Sequence, residues 1–184
     1  HTHTHTHTHT HSAIELLDVR GDYTRVAVLN GHSARVVGVD WSADGAHIQS
    51  CSGAGELLYW AVGARGARHK RSGREVNAPS AKGLALKAPA QLTSGALQLR
   101  DEHWHTQSCL LGWAVRGIWS PDSDGTDVNS VDASRDRSLL VTGDTFNLVR
   151  LFSFPAAAPR QPSKVFAAHG SHVTAVSSLS LSLS

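Results

Sequence analysis

The chain has 184 residues, a formal net charge of only +2 and an ordinary balance of apolar and polar residues. That suits a single soluble domain and gives no electrostatic argument for nucleic acid. No apolar run approaches the roughly 18 residues that span a bilayer, and no secretory signal pattern opens the chain, so no membrane partner is indicated and a cytosolic setting is expected.

Residues 1–12 form a low-complexity tail in which His and Thr alternate. Neutral imidazoles are good metal ligands, but one residue type without geometry does not define a coordination site, so a tail with no packed role is expected. Residues 13–62 carry strand signals. Ala13 to Val19 reads as an inner strand, and Gly21-Asp22 turns the chain into an outer strand from Thr24 to Leu29. Val36 to Trp41, His47 to Cys51 and Glu56 to Trp60 are three further short runs. The turn residues Ser42-Ala43-Asp44-Gly45 and Ser52-Gly53-Ala54-Gly55 separate them. Strands at this spacing make an antiparallel meander, and Leu17-Asp18-Val19 is echoed by Trp60-Ala61-Val62 after about 40–45 residues, an interval that marks an internal repeat.

Residues 63–98 sustain neither period and read as an irregular, disordered basic insertion. Arg65, Arg68, Lys70, Arg71 and Arg74 would suit nucleic acid or an acidic partner, but no aromatic residues are interleaved for base stacking, so a solvated linker is expected. Residues 99–167 are expected to hold a second unit of the same kind. His103 and His105 in RDEHWHT would share one side of a strand, yet no third ligand is in view. Cys109 to Trp119 is strand-like, and Ser120 to Thr126 is a turn-rich loop. Its Asp122 and Asp124, with Asp127, lack the terminal bidentate ligand of a calcium loop. Asp127 to Asp132, Ser138 to Thr142 and Leu148 to Phe152 follow as strands. Pro155 to Pro162 reads as a surface crossing and Lys164 to Ala167 as an outer strand. Residues 168–176 open a third such unit that is not completed, and residues 177–184 are a Ser-Leu tail. Cys51 and Cys109 are too few for a disulfide framework and are expected as buried thiols in strands. The absence of methionine suggests a fragment or an open reading frame.

Gly31-His32, Asp40-Trp41-Ser42, Asp44-Gly45 and the closing Leu58-Tyr59-Trp60 resemble a WD-repeat blade. Further anchors are Ser52-Gly53, Cys109, Leu111-Gly112, Gly117 to Trp119, Pro121, Asp124 to Asp127, Asn129, Leu151 to Phe154 and His169 to Thr174. With them the chain is similar to the C-terminal propeller of the echinoderm microtubule-associated protein-like family. The resemblance implies an all-β fold: a partial WD-repeat β-propeller of about two four-stranded antiparallel blades plus flanking strands. It implies structural roles for His32, Asp40, Trp41, Trp60, Trp119, Asp127, Phe152 and His169.

In such blades a histidine, a serine or threonine, a turn aspartate and the closing tryptophan share a buried hydrogen-bond chain. Here His32, Ser50 or Ser52, and Trp60 are present, but Ala54 or Gly55 stands where the aspartate belongs. The network is therefore expected to be incomplete, at a cost on the order of 1–3 kcal/mol.

The resemblance further implies a non-enzymatic interaction scaffold that binds tubulin or microtubules through blade-face loops, in the cytoplasm and on the cytoskeleton. No catalytic residue, metal ligand or cofactor is implied, and the family's N-terminal coiled coil and the remaining blades are missing from this stretch. A metal-assisted hydrolase using His103 and His105 is the rival reading, opposed by the lack of a third ligand, a GxSxG nucleophile or a phosphate-cradling loop. A truncated product without function is another alternative. Open edges and faces predict a marginal or aggregation-prone chain.

Overall fold

The computed structural model describes residues 12–19, 21–62, 88–120 and 123–178. The His-Thr tract, the Arg65–Arg74 cluster, Pro121, Asp122 and most of the Ser-Leu tail lie outside the described residues. The chain divides into two compact units, His1–His105 and Thr106–Ser184.

In the first unit, β1 (Ala13–Asp18) and β2 (Thr24–Asn30) form an antiparallel pair. A four-stranded sheet follows in the order β3 (Val36–Trp41), β4 (His47–Ser52), β5 (Leu57–Ala61) and β6 (Ala90–Gln91). The β3–β4 turn is set by Asp44, whose Oδ1 accepts the Ser42 hydroxyl at 2.6 Å and the Ala46 amide at 2.9 Å. At the β4–β5 turn Gly55 adopts φ +76, a left-handed conformation that glycine enters without a Cβ penalty. Alternation along the strands sends Ile14, Leu16, Leu29, Val36, Ile48, Trp60 and Val62 into one core cluster.

Residues 88–98 differ from the expected irregular insertion. Gln91 pairs with Trp60, the Leu92 amide donates to the Tyr59 carbonyl at 2.8 Å, and a short helix α1 (Gly95–Gln98) packs Gly95 on the Tyr59 ring. The outer edge of β5 has backbone groups that need partners, and this segment supplies them. Leu99 and Trp104 then form a second buried cluster with Tyr59. Residues 99–105 accordingly belong to the first unit, where the sequence placed them at the start of the second blade. They are stitched to the end of β3, because the Ala43 amide donates to the His103 carbonyl at 2.6 Å and the His105 amide to the Trp41 carbonyl at 2.7 Å.

The second unit contains the sheet β7 (Val128–Ala133), β8 (Leu139–Asp144), β9 (Val149–Ser153) and β10 (Ser163–Phe166), hydrogen-bonded in the spatial order β10-β9-β8-β7. Its core holds Val115, Ile118, Val128, Val131, Leu140, Phe152 and Ala156. Cys109 to Trp119, expected to be strand-like, contains instead a 3-10 helix over Trp113–Ile118, and Cys109 is buried outside any strand. The cause is local pairing: the Gly117 amide donates to the Ala156 carbonyl at 2.7 Å, and the Ala156 amide to the Ala114 carbonyl at 2.8 Å. That pairing also draws Ala156 out of the expected surface crossing into full burial.

Residues 168–176 form no strand in the structure, although they run beside β7. The Val173 amide donates to the Asp144 carbonyl at 3.0 Å, the Val176 amide to Ser130 Oγ at 3.1 Å, and Val173 packs over Gly143.

Candidate functional site

The most connected polar group in the first unit is built from β3–β5 and the residues that enter β3. The His32 side chain is fully buried. Its Nδ1 lies 3.1 Å from Glu56 Oε2 and its Nε2 lies 2.7 Å from Ser50 Oγ, which also accepts Trp60 Nε1–H at 2.9 Å. One proton arrangement satisfies every member. Trp60 donates to Ser50, the Ser50 hydroxyl donates to His32 Nε2, and His32 Nδ1–H donates to the Glu56 carboxylate.

Glu56 corrects the expected gap in this network. It stands just after the turn glycine, and its side chain, one methylene longer than aspartate, reaches back to His32. It also accepts the Ser33 hydroxyl at 2.6 Å, the Ser33 amide at 3.0 Å and the Ser52 hydroxyl at 2.7 Å. These bonds, the Ser33 hydroxyl first, hold its carboxyl well below the usual 4.5, at about 2. Ser50 is therefore the link to tryptophan, while Ser52 orients the carboxylate. The available signal in the sequence was an acidic residue directly after Ser52-Gly53-Ala54-Gly55.

The sheet registers place β7–β9 in the same frame as β3–β5. Ile48 pairs with Trp60 and Leu140 with Phe152; Ser50 pairs with Leu58 and Thr142 with Arg150. Thr142 thus stands in the place of Ser50, but the Phe152 side chain has no N–H to offer, and the fully buried Thr142 Oγ1 has no partner among the described residues. Asp144, in the place of Ser52, accepts the Phe146 and Leu148 amides at 2.9 Å each and Arg150 Nε at 3.2 Å. Beside it is a cavity of about 300 Å³ whose lining includes Trp119, Asp127, Phe146, Arg150, Phe152 and Arg160. No local sequence signal marks this cavity, since its lining comes from separated segments.

Of the other residues singled out in the sequence, Asp40 is fully buried and accepts Gln49 Nε2–H at 3.0 Å, and Trp41 is half-buried against the first core. Trp119 is half-buried and donates its indole N–H to the Leu110 carbonyl at 3.2 Å. Asp127 is half-buried, with its carbonyl accepting the Thr145 amide at 2.9 Å. Phe152 is in the second core, whereas His169 is exposed. His103 and His105 are both exposed on either side of the buried Trp104, and among the described residues no three His, Cys, Asp or Glu side chains converge in a metal-binding arrangement.

Residues 8–180 match the family model described as the echinoderm microtubule-associated protein second β-propeller. Echinoderm microtubule-associated protein-like 1 of Mus musculus is 38% identical over 154 residues, covering 84% of this chain and 16% of that protein. Its like-named protein 4 of Xenopus laevis is 35% identical over 155 residues, covering 84% and 14%, and protein 3 of Mus musculus is 38% identical over 146 residues, covering 79% and 14%. The chain thus spans about a sixth or less of the length of these relatives. The family match along nearly the whole chain, together with antiparallel sheets of two and four strands, shows that it belongs to the echinoderm microtubule-associated protein family as a partial WD-repeat β-propeller.

Proposed function

We propose that this chain is a non-enzymatic interaction module that contributes to tubulin or microtubule binding, working in the cytoplasm on the cytoskeleton. The observation that carries this reading is the family match over residues 8–180, with relatives whose names describe microtubule-associated proteins. The side-chain chemistry is compatible with it. His32, Glu56, Asp44 and Asp144 are each spent on bonds that hold turns and strands, which leaves recognition to the exposed loops at the blade faces. Propellers present such loops on a rigid scaffold and need no cofactor to do so.

Co-sedimentation of the full chain with stabilised microtubules tests the proposal. Saturable pelleting that is weaker than that of a whole relative is expected, because this chain spans only a small share of such a protein. Pelleting no greater than that of an unrelated protein of equal charge would refute it. Stoichiometric metal retained after removal of residues 1–11 would favour the hydrolase reading at His103 and His105 instead.

A further inference from the structure

We propose that the cavity of the second unit binds a carboxylate side chain of an acidic peptide, held by Arg150 and Arg160 against an apolar wall of Trp119 and Phe146. The first sheet shows what normally fills this position. There the chain entering β3 lies over the closing tryptophan, so tightly that a Cβ on Gly31 would stand 3.0 Å from the Trp60 ring and 3.2 Å from Leu58 Cδ1. In the second sheet Phe152 and Arg150 occupy the places of Trp60 and Leu58, and they line an open cavity of about 300 Å³. That volume is at the small end of the range for ligand sites, enough for one or two side chains.

The polar groups define the occupant. Asp144 holds Arg150 through Nε alone, while its other oxygen is taken by two backbone amides. Among the described residues the terminal amino groups of Arg150 make no hydrogen bond, and the exposed Arg160 makes none either. A guanidinium anchored at one edge and open at the other is preorganised for a carboxylate. Asp127 also faces the cavity, so the two arginines are opposed by two aspartates, one of them already committed. The formal charges of these four groups cancel, which disfavours a polyanion; what selects a single carboxylate is the open guanidinium edge of Arg150 rather than an excess of charge. Phe146 is 61% exposed at a loop tip, and the Trp119 N–H is already used, so both rings are left to contact the apolar stem and neighbour of the bound residue. The inference does not depend on the microtubule reading, because a free peptide tests it.

The test is fluorescence anisotropy with the full chain and a fluorescein-labelled peptide carrying one Glu flanked by Phe in an otherwise uncharged sequence, compared with its Gln counterpart. Saturable binding of the Glu peptide, at least about tenfold tighter than the Gln peptide, is expected for charge-assisted pairing. Arg160→Gln and Phe146→Ala, which remove exposed side chains, should each weaken binding about 3–10-fold, and Arg150→Lys should do the same by losing the fork while keeping the charge. Circular dichroism checks that each variant is folded. Equal affinity for the two peptides, or unchanged affinity in folded Arg160→Gln and Phe146→Ala, would overturn the proposal. So would displacement of the peptide by an equal concentration of inorganic phosphate, which would identify a general anion site.

Discussion

Ser50 and Thr142 stand at the same point of two related sheets and have opposite hydrogen-bond histories. Ser50 connects a buried histidine to a buried indole, so Ser50→Ala leaves two buried groups without a partner and should cost about 1–3 kcal/mol. Thr142 Oγ1 has no partner among the described residues, so Thr142→Val removes an unpaired hydroxyl and should fall within about 0.5 kcal/mol of the parent or stabilise it. Urea midpoints read by tryptophan fluorescence distinguish the two; equal losses would refute the assignment. Glu56 gives the network a pH signature. Its folded pKa is depressed, so its contribution is fully present above 4.5 and is lost as pH falls from 4.5 toward about 2. Glu56→Gln should therefore be less stable than the parent at neutral pH and should lose less stability across that acid window. Parallel acid titrations of both proteins by circular dichroism check the slope.

At the scale of elements, the two units protect their sheets in different ways. In the first, residues 88–105 return to pair with β5 and cover Tyr59 with Leu99 and Trp104. In the second, the 3-10 helix and the segment after β9 are joined by reciprocal backbone bonds. That junction leaves no space at Gly117, where an added Cβ would press on the Ala158 and Ala156 carbonyls, atoms of the backbone that cannot rotate away. Gly117→Ala is expected to destabilise by about 1–3 kcal/mol, as an overpacked core site does. Thermal unfolding of the variant measures this, and an unchanged midpoint would mean the junction yields without cost.

For the molecule as a whole, the outer strands decide behaviour in solution. Among the described residues β2 pairs only with β1 and β10 only with β9, and these edges carry exposed Val26, Val28, Val165 and Phe166. Unpaired backbone beside apolar side chains is a template for association. The chain should self-associate with rising concentration, and Val28→Lys together with Val165→Lys should reduce this by placing charge on both edges. Sedimentation velocity across a concentration series tests it; a monomer that stays monodisperse at high concentration would contradict the edge argument.

The strands of both meanders were legible because their determinants are local. Val36 to Trp41 alternates its burial, and Asp44 and Gly55 carry the turns through their own side-chain and backbone preferences. The family kinship was equally readable, since its anchors lie in a fixed order along the chain. What the sequence concealed depends on distance. The reach of Glu56 back to His32, the capture of residues 88–105 by the free edge of β5 and the cavity around Arg150 all join residues far apart in sequence. Local propensity settled where the strands begin and turn. Only tertiary packing decided which polar groups found partners, because a hydrogen bond is specified by atoms brought together in space rather than by the spacing of their residues.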